Sequence, residues 1–385
     1  MNLEFSVPYT GDSVPYPGAV EALEELLKSK NLNGNCIKEI YLSGPQSFSG
    51  SGRVTPEIDD AQFVNIIDRI HKAGLSVNLA MNSVCEGKEW YEPNVVSAKV
   101  EFLKRMHKKH GLEAVTIANP IYIIEVKRVC PDLEIHASVL GDIDCVQRAV
   151  MYSEVGADVI TPDANINRNL GLLKKIKKAT GKNLKLMVNE GCLYKCPFRK
   201  FHFNYISHVS KELGIYIADY FFQNCVTKTI SDPSQILKSG WIRPEDIEKY
   251  SDITSFFKIV GRAGSPSLIK RATKAYLEQS WNGDLLDILS SSLHMFGLWV
   301  NANLDNKSLT KYNFFEKVTS CGYNCSNCTY CRSLAEKLVR LDLITREKLE
   351  DVNLKKAADQ MARLGKTTLP WNETIGKAIK EALSK

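Results

Sequence analysis

The stretch Asn183-Leu184-Lys185-Leu186-Met187-Val188, running straight into Asn189-Glu190-Gly191-Cys192-Leu193-Tyr194-Lys195-Cys196, decides how this chain is read. A short apolar run bounded by turn residues reads as a strand, and Gly191 lets the chain bend directly after it. Cys192 and Cys196 have three residues between them, so both thiolates can reach one metal or cluster. A strand that delivers ligating side chains at its C-terminal end is the arrangement of parallel α/β sheets.

Working outward, seven further short runs read as strands, at 4–8, 37–42, 76–81, 114–118, 133–138, 157–161 and 254–260. Amphipathic segments lie between them, at 20–29, 58–73, 94–110, 142–155 and 169–180. Gly74, Gly111, Gly156 and Gly181 stand just past four of these segments, where helices stop. Strands alternating with helices make a parallel sheet, and eight of them predict a (β/α)8 barrel. A doubly wound open sheet is the alternative, but the first strand lacks its glycine-rich phosphate fingerprint. The barrel is assigned to residues 1–290. An aromatic-rich insertion at about 200–250 carries Phe201, Phe203, Tyr205, Tyr216, Tyr220, Phe221, Phe222 and Trp241, either to shield a cluster or to form a local core. Segments 265–279 and 285–299 read as helices and 301–311 as a polar loop. Residues 291–385 form a C-terminal, helical, cysteine-rich extension.

Composition permits this size of fold. The chain has 385 residues, 44% of them apolar, with a net charge of +6 and a pI near 8.6. That mild basic balance is spread out, so it admits an anionic substrate or RNA without pointing to either. No signal peptide opens the chain and no apolar run is long enough to span a bilayer, which predicts a cytoplasmic protein without membrane insertion. In a reducing compartment, eleven cysteines point to metal binding more than to disulfides. Cys36, Cys85, Cys130 and Cys145 are scattered and read as small core residues.

Seven cysteines are clustered. Cys321, Cys325, Cys328 and Cys331 fall within eleven residues and suit one tetrahedral or cubane centre. Iron–sulfur is favoured over structural zinc there, because zinc sites more often split two ligand pairs across a longer loop. The first three also spell CxxxCxxC, the spacing of radical S-adenosylmethionine enzymes, but they follow the last strand rather than the first. Cys192, Cys196 and Cys225 form a second set whose fourth ligand is open between Cys130, Cys145, a tail cysteine and a non-cysteine group. One or two iron–sulfur clusters of 4Fe-4S type are therefore expected. Strand ends supply the other candidates. Asn82 and Asn119 are candidate substrate contacts, as are Arg199 and Lys258. Arg262 and Glu190, at strand ends, and His202, six residues after Cys196, are candidate catalytic groups. His136 lies within a strand and is placed to point into a barrel. No HExxH motif or GxSxG elbow is present to support proteolysis.

Three stretches resemble peptidase family U32, the collagenase-like proteins, across roughly residues 1–290. They are Asn189 to Arg199, Leu237-Lys238-Ser239-Gly240-Trp241-Ile242-Arg243-Pro244-Glu245-Asp246, and Phe257-Lys258-Ile259-Val260-Gly261-Arg262, in which Val260 stands where an acid is usual. The tail from Cys321 lies outside the resemblance. It implies a barrel near the (β/α)8 type, an oxygen-sensitive iron–sulfur cluster, and oxygen-independent hydroxylation of RNA bases or small molecules. An electron donor such as ferredoxin and pairing with a related U32 chain are the expected partners. A non-catalytic iron–sulfur scaffold and a peptidase are the other readings.

Overall fold

The computed structural model describes residues 2–9, 19–28, 30–45, 47–48, 50–52, 58–209, 220–262, 265–291 and 300–343. These fall into two compact units. One is drawn from residues 1–189, 199–215 and 240–281, the other from 190–198, 216–239 and 282–385.

The first unit is a closed barrel. Its strands are β1 (Glu4–Pro8), β3 (Asn35–Leu42), β4 (Ser76–Met81), β5 (Ala114–Ile117), β6 (Glu134–Ala137), β7 (Val159–Ile160), β8 (Asn183–Met187) and β9 (Phe256–Lys258), with β2 (Asn31–Leu32) a short hairpin partner of β3. Each pairs in parallel with the next, and β1 pairs with both β9 and β3, so the sheet has no open edge. The expected (β/α)8 architecture is present, with all eight strands at the positions read from the sequence. Helices α1 (Ala19–Lys28), α2 (Asp60–Lys72), α3 (Pro93–His110), α4 (Pro120–Val129), α5 (Val146–Glu154), α6 (Leu170–Thr180), α7 (Arg199–Val209) and α10 (Pro266–Glu278) belong to this unit. Helix α2 shows how the sequence dictates them. Asp59 and Gln62 cap its start reciprocally, and Phe63, Ile67 and Ile70 are buried along one stripe. Helices α2, α3, α5 and α6 end against Gly74, Gly111, Gly156 and Gly181, the stops read from the sequence.

The barrel interior is polar in one layer. Ser6, Glu39, Asn78, Thr116, His136 and Lys185 come from six different strands, all are buried, and all are joined by hydrogen bonds. Only inward-facing side chains can meet across strands as distant as β3 and β8. Phe256 on β9 closes this layer, edge-on to His136 and under the Lys185 ammonium.

The second unit holds α8 (Tyr220–Ser231), α9 (Ser234–Lys238), the antiparallel pair β10 (Val300–Leu304) and β11 (Val339–Leu343), and α11 (Asn306–Lys311), α12 (Phe314–Thr319) and α13 (Tyr330–Leu338). Four expectations change. Segment 285–299 is not a helix from its start: one 3-10 turn, Leu285–Ile288, gives way to extended backbone at Leu289, and 292–299 lies outside the described residues. Segment 301–311 is not a loop. Val300-Asn301-Ala302-Asn303-Leu304 alternates with period two and pairs with β11, and Asp305 caps α11 through Ser308 N. Helix α4 was absent from the reading because Ile121 and Ile124 are apolar yet exposed, which blurs its amphipathic pattern. The end, expected to be mostly helical over 335–385, is helical only as far as Leu338: Val339–Leu343 alternates apolar and polar residues and forms β11 against β10, while 344–385, like Tyr216, lies outside the described residues.

Candidate active site at the barrel strand ends

The C-terminal ends of β3, β4 and β9 gather one cationic corner. Lys258, on β9, places its ammonium 3.7 Å from the centroid of the Tyr41 ring on β3, and the Arg262 guanidinium stands 5.7 Å from the same ring. Arg262 Nη1 donates to Ser43 Oγ and to Ser51 Oγ, and Gly52 N donates to Asn82 Oδ1 at 3.1 Å. Lys258, Arg262 and Asn82 are buried, so these charges are not solvated surface groups. Gly261 sets Arg262 at its place: its φ of 134° is open to glycine and strained for any other residue. Asn189 fixes the end of β8 against the same strand. Its Oδ1 accepts from Val260 N at 2.7 Å and its Nδ2 donates to Val260 O at 3.0 Å, one more rung of the β8–β9 ladder made by a side chain.

A cavity of about 390 Å³ lies at the ends of β4, β5 and β6, bordered by α7. Asn119 lines it while capping α4 through Ile121 N. Asp142 and Lys200 line it too, and Asp142 accepts from Arg199 Nη1 at 3.0 Å. Arg199 also stands 3.7 Å from Asp163, so its charge is met by two carboxylates and it organises this wall. Tyr152 donates to Ala118 O, and burial, then the Asp142 charge, pushes its phenol up to about 12. His202 is half-buried on α7 with its ring against Phe203. Of the aromatic insertion, Phe203 and Trp241 are buried, whereas Phe201 and Tyr205 are exposed.

Beneath these groups lies the buried polar layer. Lys185 Nζ donates to Glu39 Oε1 at 2.8 Å and to His136 Nδ1 at 2.5 Å. An ammonium can only donate, so Nδ1 accepts and the His136 proton sits on Nε2, 2.6 Å from Glu134 Oε1. Burial disfavours the Glu39 carboxylate, but the Lys185 ammonium and the hydrogen bonds from Lys185 and Ser6 outweigh it and hold Glu39 far below the carboxylate range. Burial lowers Lys185, opposed by Glu39, and lowers His136, reinforced by Lys185.

The clustered cysteines all fall in the second unit, and all are free thiols. Cys321, Cys325 and Cys328 are exposed, and Cys192, Cys196, Cys225 and Cys331 are half-buried. Tyr194, between Cys192 and Cys196, stacks on Tyr323, between Cys321 and Cys325, with ring centroids 6.1 Å apart, so the two cysteine loops are neighbours. Ser239 Oγ, just past α9, donates to Cys192 O. Among the described residues no three Cys, His, Asp or Glu side chains are already drawn together around one point. Glu190 is buried in this unit, bridged in parallel to Ser290. Of the scattered thiols only Cys130 is the core residue expected. Cys145 is exposed, and Cys36 and Cys85 are half-buried.

The profile of peptidase family U32 matches residues 24–216. A protein of Methanocaldococcus jannaschii described as an uncharacterized protease is 30% identical over 339 residues, covering 86% of this chain and 99% of its own. The chain belongs to peptidase family U32. A solved U32 peptidase shares 17% identity and a TM-score of 0.49 over 68% of this chain and 94% of its own. A putative glycerophosphodiester phosphodiesterase from Galdieria sulphuraria gives a TM-score of 0.33 at 11% identity, over 49% and 84%. No helix among the described residues of this U32 chain is long and apolar enough to cross a membrane. Of the candidates named from the sequence, this U32 barrel places Lys258 and Arg262 at the one Tyr41 ring, and ties Asn82 to the neighbouring loop at Gly52. The sequence reading missed Glu39, Asn78 and Lys185, whose signal was a polar residue at an inward position of an apolar strand.

Proposed function

We propose that this U32 protein is an iron–sulfur-dependent enzyme that carries out oxygen-independent hydroxylation, or a related redox modification, of a small molecule or RNA base. The observation that carries this reading is the collection of seven free cysteines in one compact unit, two of their loops packed through Tyr194 and Tyr323. Thiols on short adjacent loops are the donor set iron–sulfur clusters take. Cys192, Cys196 and Cys225 would hold a cluster together with one tail thiol, since Cys130 is buried at the far end of α4 in the barrel unit. The remaining tail thiols would serve a second cluster or, less well, zinc. A bound cluster supplies one-electron redox chemistry. The chain's own part is to bind and orient: Lys258 and Arg262 receive an anionic group of the substrate, with Asn82 holding the loop beside them. An electron donor of the ferredoxin kind and a related U32 chain as partner complete the proposal.

Purification without oxygen, with iron and sulfide determined and the visible spectrum recorded, tests it. A brown protein that bleaches on reduction is expected. A colourless protein holding only zinc contradicts it. Hydrolysis of peptides is the second reading, favoured by the description of the archaeal relative as a protease. Cleavage of a peptide by cluster-free protein would support it.

A further inference from the structure

Cys85 is not packed away. It is half-buried on the loop after β4, and its Sγ stands 3.2 Å from Nε2 of His208 on α7. The pair is held from both sides. Val84 N donates to Ser207 Oγ at 3.2 Å, Ser207 Oγ donates to Phe203 O at 2.7 Å, and Ser83 Oγ donates to Cys85 O at 3.3 Å. The loop and the helix are thus tied one residue away from each reacting atom. His208 is exposed, so its other nitrogen meets water and its tautomer can change. Val84, next to the thiol, lines the 390 Å³ cavity, as does Asn204, one helical turn before His208. Cys85 and His208 thus each lie beside a residue that lines this space, whose volume suits a small substrate group.

We propose that Cys85 and His208 form a thiol–imidazole nucleophile for acyl transfer, acting on an ester or peptide carbonyl that enters this cavity. A thiol is a strong nucleophile only once a base within hydrogen-bond reach removes its proton. His208 Nε2 takes that proton as Sγ bonds to the carbonyl carbon. The bond from carbon to the leaving oxygen or nitrogen breaks, and the leaving group departs with the electron pair and the proton from His208. Water then adds to the thioester, the carbon–sulfur bond breaks, and Cys85 regains its proton. One water is consumed and nothing is oxidised or reduced. No cluster ligand takes part. The inference rests on the hydrolytic reading above for its reaction class and gives that reading its nucleophile.

The full chain is treated with limiting iodoacetamide at pH 7 and the alkylation rate at Cys85 is read by peptide mass spectrometry, in wild type and in His208→Gln. The same samples receive p-nitrophenyl acetate, and iron per chain is measured beside them. Cys85 is expected to alkylate about tenfold or more slower in His208→Gln. The ester is expected to leave an acetyl group on Cys85 in wild type and to turn over several-fold slower in Cys85→Ser, with iron unchanged. Equal alkylation rates in wild type and His208→Gln would overturn the pair. So would ester turnover unchanged in Cys85→Ser. A loss of iron in Cys85→Ser would overturn its separation from the cluster ligands. Acetylation of Cys85 with no cleavage of any peptide leaves the nucleophile standing and refutes only the peptidase reading.

Discussion

Lys185 carries a charge into the middle of the barrel, where Glu39 balances it at 2.8 Å. Replacing Lys185 with Met strands a buried carboxylate, a loss of about 3–5 kcal/mol. Urea unfolding should show that loss, and Glu39→Met/Lys185→Met should lose less than the single variant because no charge remains unpaired. His136 gives the layer a pH dependence of known sign. Its protonation is disfavoured in the folded barrel, first by burial and then by Lys185. Between its folded and unfolded pKa values the unfolded chain binds the extra proton, so stability is full above about pH 6.5 and falls below it. The wild type should therefore lose up to about 1.4 kcal/mol per pH unit from this group between pH 6.5 and 5, and His136→Gln should show a shallower fall in urea midpoint. His136 was legible as an inward residue because it interrupts an apolar strand. Lys185 has the same signature inside Leu184-Lys185-Leu186, but a lysine between leucines equally suits a strand with one solvated face.

At the scale of elements, the strands were legible because each is a short apolar run closed by a turn signal. The second unit was not, because short helices such as α11 and α12 depend on caps and packing more than on periodicity. The closing rung at Asn189 was equally hidden, since an asparagine after a strand reads as a turn residue. Asn189→Ala would leave buried Val260 N and O without this partner, at about 1–3 kcal/mol for each. A lowered thermal midpoint, with weaker hydrogen-exchange protection at β9, is the expected result.

Across the whole molecule, chemistry-bearing residues separate by type. The barrel holds the buried cations Lys258 and Arg262, and the second unit holds the clustered thiols. Spacing alone showed that the thiols come in two sets. It could not show that Tyr194 and Tyr323 make those sets neighbours, because contacts between segments more than a hundred residues apart leave no local pattern. If the cationic corner receives an anionic substrate group, Arg262→Ala should weaken binding of that substrate by roughly ten- to a hundredfold, the worth of a charge-assisted hydrogen bond. Its iron content should not change. The account stands most directly on iron and acid-labile sulfide per chain, measured without oxygen in wild type, Cys192→Ala and Cys328→Ala. Iron with matching sulfide in the wild type, and a loss of iron in both variants, is the predicted result. Wild-type protein that holds zinc without sulfide, or variants that both keep the full wild-type iron, would contradict it.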